Sequence, residues 1–316
     1  MEQRRTEFIE RTARYWGYTP EQTLALLRIK QRKSIRINSN RSDELIKQKI
    51  KELNINLKAI KGLKNCYKTD SLFQPNKIDL VQNDDIVLQN ASSFCPVLNL
   101  NPMEKEQILD MCAAPGLKTS HISDLANNAA DITANELSYS RYKKMTSFFS
   151  SYGCRINSIN SDGQLLGRNT EFLEQFDKVM VDAPCSGEAN IEIDKLNSFN
   201  TWSVKNIKRL QLLQLRLLKA AYKVTKIGGV IVYSTCTINA EENEIVVSKF
   251  LKNSKCRLEK VDSFNLPTIK VQDQKVKDVV SQEIIDNCAR ILPSINNEAF
   301  FVAKFVKLQE DEFFYS

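Results

Sequence analysis

The sequence predicts an α/β protein with a mostly parallel sheet, helices on both faces and a small α+β domain in front. From about residue 105, short β-branched segments alternate with helical segments, as in sheets built with right-handed crossovers. The first 80 residues contain a shorter mixture of helix and strand patterns. Their charge differs as well, with 18 Lys and Arg against 9 Asp and Glu, while the remaining residues are almost balanced.

The N-terminal patterns are short. Thr19 is a good N-cap for a helix at 20–28, and the alternation at 34–38 predicts a strand. Helical spacing returns at 43–53. A further strand is compatible with 54–64, and a polar connection containing a strand near 86–88 follows. We therefore expect a basic N-terminal module at 1–80, a connecting segment at 81–104 and the larger domain at 105–309.

The larger domain shows regular apolar and helical periods. They predict strands at 107–111, 131–134, 155–159, 178–182, 229–233 and 300–306. They predict helices at 118–125, 139–152, 204–224 and 241–252.

Composition limits the kind of protein. No apolar stretch approaches the roughly 18 residues of a membrane span, and no apolar signal segment follows Met1. The eight cysteines include no CxxC pair, and His121 is the single histidine. These facts argue against a membrane protein, a metal site and a disulfide scaffold. We expect a reduced, cytoplasmic and monomeric protein in which His121 is structural.

Two cysteines follow predicted strands. Cys185 stands in the motif Asp-Ala-Pro-Cys-Ser-Gly that begins at Asp182, and Cys236 stands between two threonines. Side chains just past the carboxyl ends of parallel strands meet at the ligand-binding edge of a sheet. Two thiols and a carboxylate there favour covalent chemistry. A free cysteine is otherwise most often a small buried residue, which we expect for five others: Cys66, Cys95, Cys154, Cys256 and Cys288.

The turn after the first strand of the larger domain lacks the glycines of dinucleotide-binding folds and of P-loops. It reads Asp-Met-Cys-Ala-Ala-Pro-Gly-Leu-Lys-Thr from residue 110, and its small residues let a ligand approach the backbone. Glu136 ends the next strand, where an acid accepts hydrogen bonds from ribose hydroxyls. Asp162 follows the third strand and is placed to meet an adenine amino group. With Asp182, these acids predict a nucleoside-binding site.

The positive charge of residues 1–80 indicates either a solvated helical surface or a surface that contacts phosphates. The densest run of basic residues is Arg28, Lys30, Arg32, Lys33 and Arg36. We expect phosphate attraction to concentrate there.

Seven segments together resemble the Sun/Nop family of RNA cytosine-5 methyltransferases, in family order from about residue 88 to 305. The residues at 34–38 also resemble the small domain that precedes the catalytic domain in that family. The matching segments are residues 88–93, 110–119, 135–136, 162–163, 182–187, 233–244 and 290–293.

The resemblance implies a class I methyltransferase fold that binds S-adenosylmethionine and methylates ribosomal or transfer RNA. It implies that Cys236 is the nucleophile, that Cys185 helps to release the product and that Asp182 stabilises the adduct. The implied cofactor-binding residues are Cys112, Ala113, Ala114, Pro115, Gly116, Leu117, Lys118, Glu136, Arg141, Asp162 and Asp182.

The chain departs from the family pattern at Leu117, where Gly or Ser is usual, and at residues 188–190, where another Gly is common. These departures leave open a decayed methyltransferase that binds RNA or assists ribosome assembly. The intact Asp182, Cys185 and Cys236 argue against that alternative. An enzyme of the same fold acting on a small molecule or a protein is the other alternative, and the basic N-terminal module argues against it.

Overall fold

A computed structural model of the chain describes residues 1–60, 65–69 and 79–309. The strands are β1 Ser34–Ile37, β2 Leu57–Ala59, β3 Cys66–Thr69, β4 Ile86–Gln89, β5 Gln107–Asp110, β6 Asp131–Asn135, β7 Asn157–Ile159, β8 Phe176–Asp182, β9 Thr225–Thr235, β10 Cys256–Glu259, β11 Ala289–Ile291 and β12 Phe300–Lys307. The helices are α1 Glu2–Trp16, α2 Pro20–Leu27, α3 Asp43–Glu52, α4 Asp79–Gln82, α5 Phe94–Leu100, α6 Leu117–Leu125, α7 Tyr139–Tyr152, α8 Val204–Val224, α9 Glu244–Leu251, α10 Gln274–Lys277 and α11 Gln282–Asn287.

The larger sheet has the strand order β10-β12-β9-β8-β5-β6-β7, and β11 pairs with β12. Strands β5 to β9 pair in parallel, whereas β12 pairs antiparallel with β9 and β10. The predicted α/β class is therefore confirmed. The chain places β6 and β7 on one side of β5 and then β8 and β9 on the other. Such a switch point opens a crevice at the carboxyl ends of the central strands.

Helices α7 and α8 have the bounds that their periodicity predicts. In α8, Ser203 accepts a hydrogen bond from the Asn206 amide at 3.2 Å and caps the first turn. Its apolar side contributes Ile207, Leu217 and Val224 to the core beside the sheet. The opposite side of α8 stays in solvent. No helix among residues 1–60, 65–69 and 79–309 is long and apolar enough to cross a membrane.

The smaller sheet is antiparallel, with the order β2-β3-β1-β4. Ile46 and Ile50 of α3 cover it and pack with Ile35, Ile37 and Ile86. Strand β4 pairs with β1 although it lies in the predicted connecting segment. The end of the predicted strand at 54–64 and residues 70–78 of the polar connection after it lie outside the described residues.

Helix α1, for which the sequence analysis predicted no element, packs on the larger domain. Phe8 meets Phe199 and Trp202 edge-on, with ring centroids 5.7 Å apart in both pairs. Thr19 caps α2 as predicted, with a complete capping box. The division into 1–80, 81–104 and 105–309 stays a prediction. Helix α1 lies before residue 80 but packs on the larger domain, and β4 lies after residue 80 but belongs to the smaller sheet.

Arg36 does not lie on an RNA-facing surface, and the prediction for this residue was wrong. Its side chain is 1% exposed, because β1 is an inner strand of the small sheet and all of its residues are buried. The guanidinium donates to the Asp124 carboxylate and the Leu117 carbonyl, and to Tyr152 Oη at 2.6 Å. Arg36 therefore ties the small sheet to α6 and α7.

Candidate active site

The two cysteine motifs meet at the carboxyl ends of neighbouring parallel strands. Asp182 at the end of β8 pairs in register with Ser234 near the end of β9. The loops that follow bring Cys185 Sγ within 3.3 Å of Cys236 Sγ. Both thiols are partly accessible. Residues 51 positions apart thus form one thiol pair, as the strand-end argument predicts.

The thiol pair is asymmetric. The hydrogen bond to Cys236, together with burial, raises the pKa of the Cys185 thiol well above its usual value. Cys185 therefore keeps its proton and is placed to donate it toward the other sulfur. The Asn190 amide also points toward Cys236, with Nδ2 at 3.7 Å from Sγ. A thiolate at Cys236 would thus face two donors.

Asp182 lies beside the pair and is held by two donors. Lys118 Nζ donates to its Oδ2 and Ser234 Oγ to its Oδ1, both at 2.7 Å. Burial lowers the pKa of the Lys118 ammonium, but Asp182 and Cys236 more than offset this effect, and the pKa stands above its usual value. Lys118 therefore places a positive charge beside the Asp182 carboxylate and close to Cys236.

Two buried carboxylates hold the cysteine loops together. Glu188 accepts hydrogen bonds from Trp202 Nε1 and Thr237 Oγ1, and from the amides of Ile238 and Asn239, at 2.8–2.9 Å. It belongs to the loop that departs from the family pattern.

Glu242, in the loop after β9, is the second buried carboxylate, and it binds the loop after β8 and helix α8. It accepts from the Ser186 amide at 3.0 Å and from Gln214 Nε2 at 2.8 Å, and burial raises its pKa. Neither network has a local signal in the sequence, because most of the partners lie far apart along the chain.

The turn after β5 leads directly into α6. Asp110 accepts a hydrogen bond from Thr119 Oγ1 at 2.7 Å, and burial raises its pKa to about 7. Gly116 has φ +106°, and a Cβ there would stand 2.7 Å from Phe149. The turn therefore requires glycine at this position.

The predicted acids lie where the strand order places them. The Glu136 carboxylate is 5% exposed and approaches Arg141 Nη1 at 3.3 Å, and it accepts from the Ser138 amide at 2.8 Å. Asp162 caps the next 3₁₀ turn, where it accepts from the Gln164 amide. Arg141 also donates to the Ala114 carbonyl, so it joins the acid to the turn after β5.

Two neighbouring cavities contain most of the predicted site residues. A cavity of about 290 Å³ has both acids in its wall, and its lining includes Cys112, Glu136, Leu137, Arg141, Asp162, Gly163, Arg209, Leu210, Leu213 and Leu217. A cavity of about 390 Å³ has a lining that includes Asp110, Cys112, Ala113, Ala114, Pro115, Leu117, Lys118, Asp182, Asn190 and Cys236. Cys185 lies outside this lining and contacts Cys236 at 3.3 Å. Cys112 lines both, so the cavities adjoin at the turn after β5.

For several residues, the structure adds to what the sequence predicted. Leu117 lines the larger cavity, so the unusual side chain faces the site. Asn190 was identified only as a departure, yet it reaches Cys236. His121 is buried in α6 against Phe94, and burial lowers its pKa well below the usual value, which fits the structural role predicted for it. No cluster of His, Cys, Asp and Glu suited to a metal occurs in the part of the chain that the structure describes.

Comparison with known proteins decides the family. The family model described as 16S rRNA methyltransferase RsmB/F matches residues 97–306, about two thirds of the chain. The chain belongs to the RsmB/F methyltransferase family. The resemblance to Sun/Nop enzymes and the methyltransferase class are thereby confirmed.

Two relatives of the chain are named for different RNAs. The tRNA (cytosine(49)-C(5))-methyltransferase of Pyrococcus abyssi is 37% identical over 227 residues, which are 70% of each protein. Ribosomal RNA small subunit methyltransferase F of Vibrio campbellii is 33% identical over 225 residues, 70% of this chain and 45% of that protein. The chain thus spans less than half of this bacterial relative.

Solved structures support the same fold. A methyltransferase homologue from Pyrococcus horikoshii superposes with a TM-score of 0.79 at 28% identity and covers 95% of this chain and 94% of that one. NSun6 from the same organism, solved with SFG, superposes with a TM-score of 0.77 at 20% identity, covering 96% and 98%. The second likeness concerns the fold alone.

Proposed function

We propose that this protein transfers a methyl group from S-adenosylmethionine to carbon 5 of a cytosine in RNA, through a covalent adduct with Cys236. The observation that carries the proposal is the thiol pair, 3.3 Å apart, beside Asp182 and next to a nucleoside-sized cavity. The names of the relatives support cytosine and RNA as the target.

The smaller cavity suits S-adenosylmethionine. Leu210, Leu213 and Leu217 offer apolar surface to a purine, while Glu136 and Asp162 offer carboxylates to ribose hydroxyls and an amino group. A Cβ on Gly163 would meet Leu217 at 2.9 Å, so the wall is closely packed there. When bound, S-adenosylmethionine supplies the methyl group that carbon 5 accepts.

Carbon 5 of cytosine needs activation before it attacks a methyl group. Addition of the Cys236 thiolate to carbon 6 makes carbon 5 enamine-like. Lys118 supplies a positive charge near this sulfur, and Asn190 supplies a hydrogen-bond donor. Asp182 is available to hydrogen-bond the exocyclic amine or a protonated ring nitrogen. The base must leave its stack to enter such a cavity.

Release reverses the addition. The proton on carbon 5 leaves to a base, and the bond between carbon 6 and sulfur breaks with its electrons returning to Cys236. A donor to the leaving sulfur lowers the barrier of this step. Cys185 is suited to this role, because the hydrogen bond between the thiols and burial hold its proton. The decayed alternative loses support, because Lys118, Asp182 and Cys236 line one cavity and Cys185 contacts Cys236.

The RNA is transfer or ribosomal RNA, the two kinds that the relatives' names contain. The net charge of +7 favours a polyanionic partner. Cytoplasmic location and a monomeric state stay predictions.

The test uses bisulfite sequencing, which detects 5-methylcytosine. Unmodified tRNA and ribosomal RNA transcripts are incubated with S-adenosylmethionine and either the wild-type protein or Cys236→Ala. We expect protected cytosines in one RNA class with the wild type and none with the variant. Methyl transfer to RNA without protection at any cytosine would contradict the proposal.

A further inference from the structure

The solvent-facing side of α8 is almost entirely basic. Across 21 residues the helix has six Lys or Arg and no Asp or Glu. Its exposed positions follow one stripe, and all but Leu212 are basic: Lys205, Lys208, Arg209, Arg216, Lys219 and Lys223. At about 1.5 Å per residue, the stripe extends about 27 Å.

Several charges of this stripe have no acidic partner within residues 1–60, 65–69 and 79–309. Neither Arg216, Lys219 nor Lys223 makes an ion pair with any described residue. Elsewhere, basic residues commonly face acids: Arg28 pairs with Asp194 at 2.7 Å. The stripe therefore contributes a concentrated positive potential, which the sequence analysis had assigned to the N-terminal module.

Part of the stripe forms a groove. A cavity of about 520 Å³ lies between α8 and the 3₁₀ helix Gly163–Arg168, and Arg168, Arg216, Lys219 and Lys223 line it. Asp162 lines both this groove and the cofactor cavity. The groove therefore continues from the edge of the candidate active site along the protein surface.

We propose that the α8 stripe binds the sugar–phosphate backbone of a structured RNA at a distance from the target cytosine. This inference rests on the proposed function and assigns it a second contact surface. Unpaired cations in a row match a polyphosphate. An acidic protein fits less well, because protein interfaces are depleted in Lys and enriched in aromatic residues, whereas the stripe has four Lys and a single apolar residue, Leu212.

The test measures salt dependence. The triple variant Arg216→Gln, Lys219→Gln, Lys223→Gln removes the groove charges but retains good helix formers. The matched control, Lys252→Gln, Lys260→Gln, Lys275→Gln, removes three exposed charges outside α8. Arg209 stays unchanged because it lines the cofactor cavity.

The probes are an unmodified tRNA transcript and a short single strand, a trinucleotide with cytosine at its centre. For the transcript, we expect the triple variant to make the negative slope of log affinity against log salt shallower by about 2 to 3. We expect its affinity at 0.1 M salt to fall about 100-fold. The control should match the wild type. Binding of the short strand should change little, because it does not span the active cavity and the groove.

The outcomes separate this inference from the proposed function. Equal slopes for the triple variant and the wild type, or equal losses in the control, would overturn the α8 surface and favour an acidic protein partner. Absence of methylation by the wild type, with the slope change intact, would instead reject the proposed function alone.

Discussion

Replacing Arg36 by leucine is expected to destabilise the fold rather than to weaken RNA binding. The guanidinium is fully buried and faces Asp124, Tyr152 and the Leu117 carbonyl. Removing one member of a buried ion pair leaves the other charge unpaired, which costs about 3–5 kcal/mol. A surface phosphate contact would behave oppositely, with a stability change within about 0.5 kcal/mol and a salt slope lowered by about 0.7.

Urea unfolding and salt-dependent RNA binding distinguish these two roles. Arg36→Lys keeps the charge but loses the planar fork, so it should lose less stability than Arg36→Leu and remain folded. A double-mutant cycle with Asp124→Asn should show strong coupling in the free energy of unfolding. Unchanged stability in Arg36→Leu, combined with a lower salt slope, would refute the structural role.

Three further predictions concern the cofactor, the thiols and the N-terminal charge. Glu136→Ala should weaken S-adenosylmethionine binding about 10- to 150-fold in calorimetry, because a charged hydrogen bond is worth about 1.5–3 kcal/mol; unchanged affinity would reject the ribose assignment. Diamide should oxidise Cys185 and Cys236 to a disulfide that mass spectrometry detects and dithiothreitol reverses, and its absence would contradict their close approach. Neutralising Lys30 and Arg32 together should lower the salt slope of RNA binding by about 1.4 and leave cofactor binding intact, whereas an equal slope would make that run a solvated surface. Lys33 stays unchanged because it lines the cavity that contains Cys236 and pairs with Glu298 at 3.4 Å.

The elements that the sequence predicted well are those with a strong hydrophobic periodicity. Helices α7 and α8 alternate buried and exposed residues over 14 and 21 residues, and their bounds were correct. Helix α5 was missed because nearly all of its residues are buried, which leaves no amphipathic period. Helix α1 was missed although it is amphipathic, since its many charged residues were read only as part of the basic composition.

The site was predictable where it depends on strand ends. Asp182 ends β8, and Cys185 and Cys236 closely follow β8 and β9. A parallel sheet therefore brings all three to the same edge. Glu188 was not predictable, because its four donors come from two other segments of the chain. Arg36 was misassigned for the same reason: composition counts a charge but does not show which carboxylate faces it.

Adduct formation in the two cysteine variants tests the central claim most directly. Cys185→Ala and Cys236→Ala are each incubated with S-adenosylmethionine and the RNA class that the wild type methylates, then separated on a denaturing gel. We predict a protein–RNA band that survives denaturation in Cys185→Ala, because addition proceeds while release fails, and no such band in Cys236→Ala. A band in Cys236→Ala and none in Cys185→Ala would contradict the assignment and exchange the roles of the two thiols.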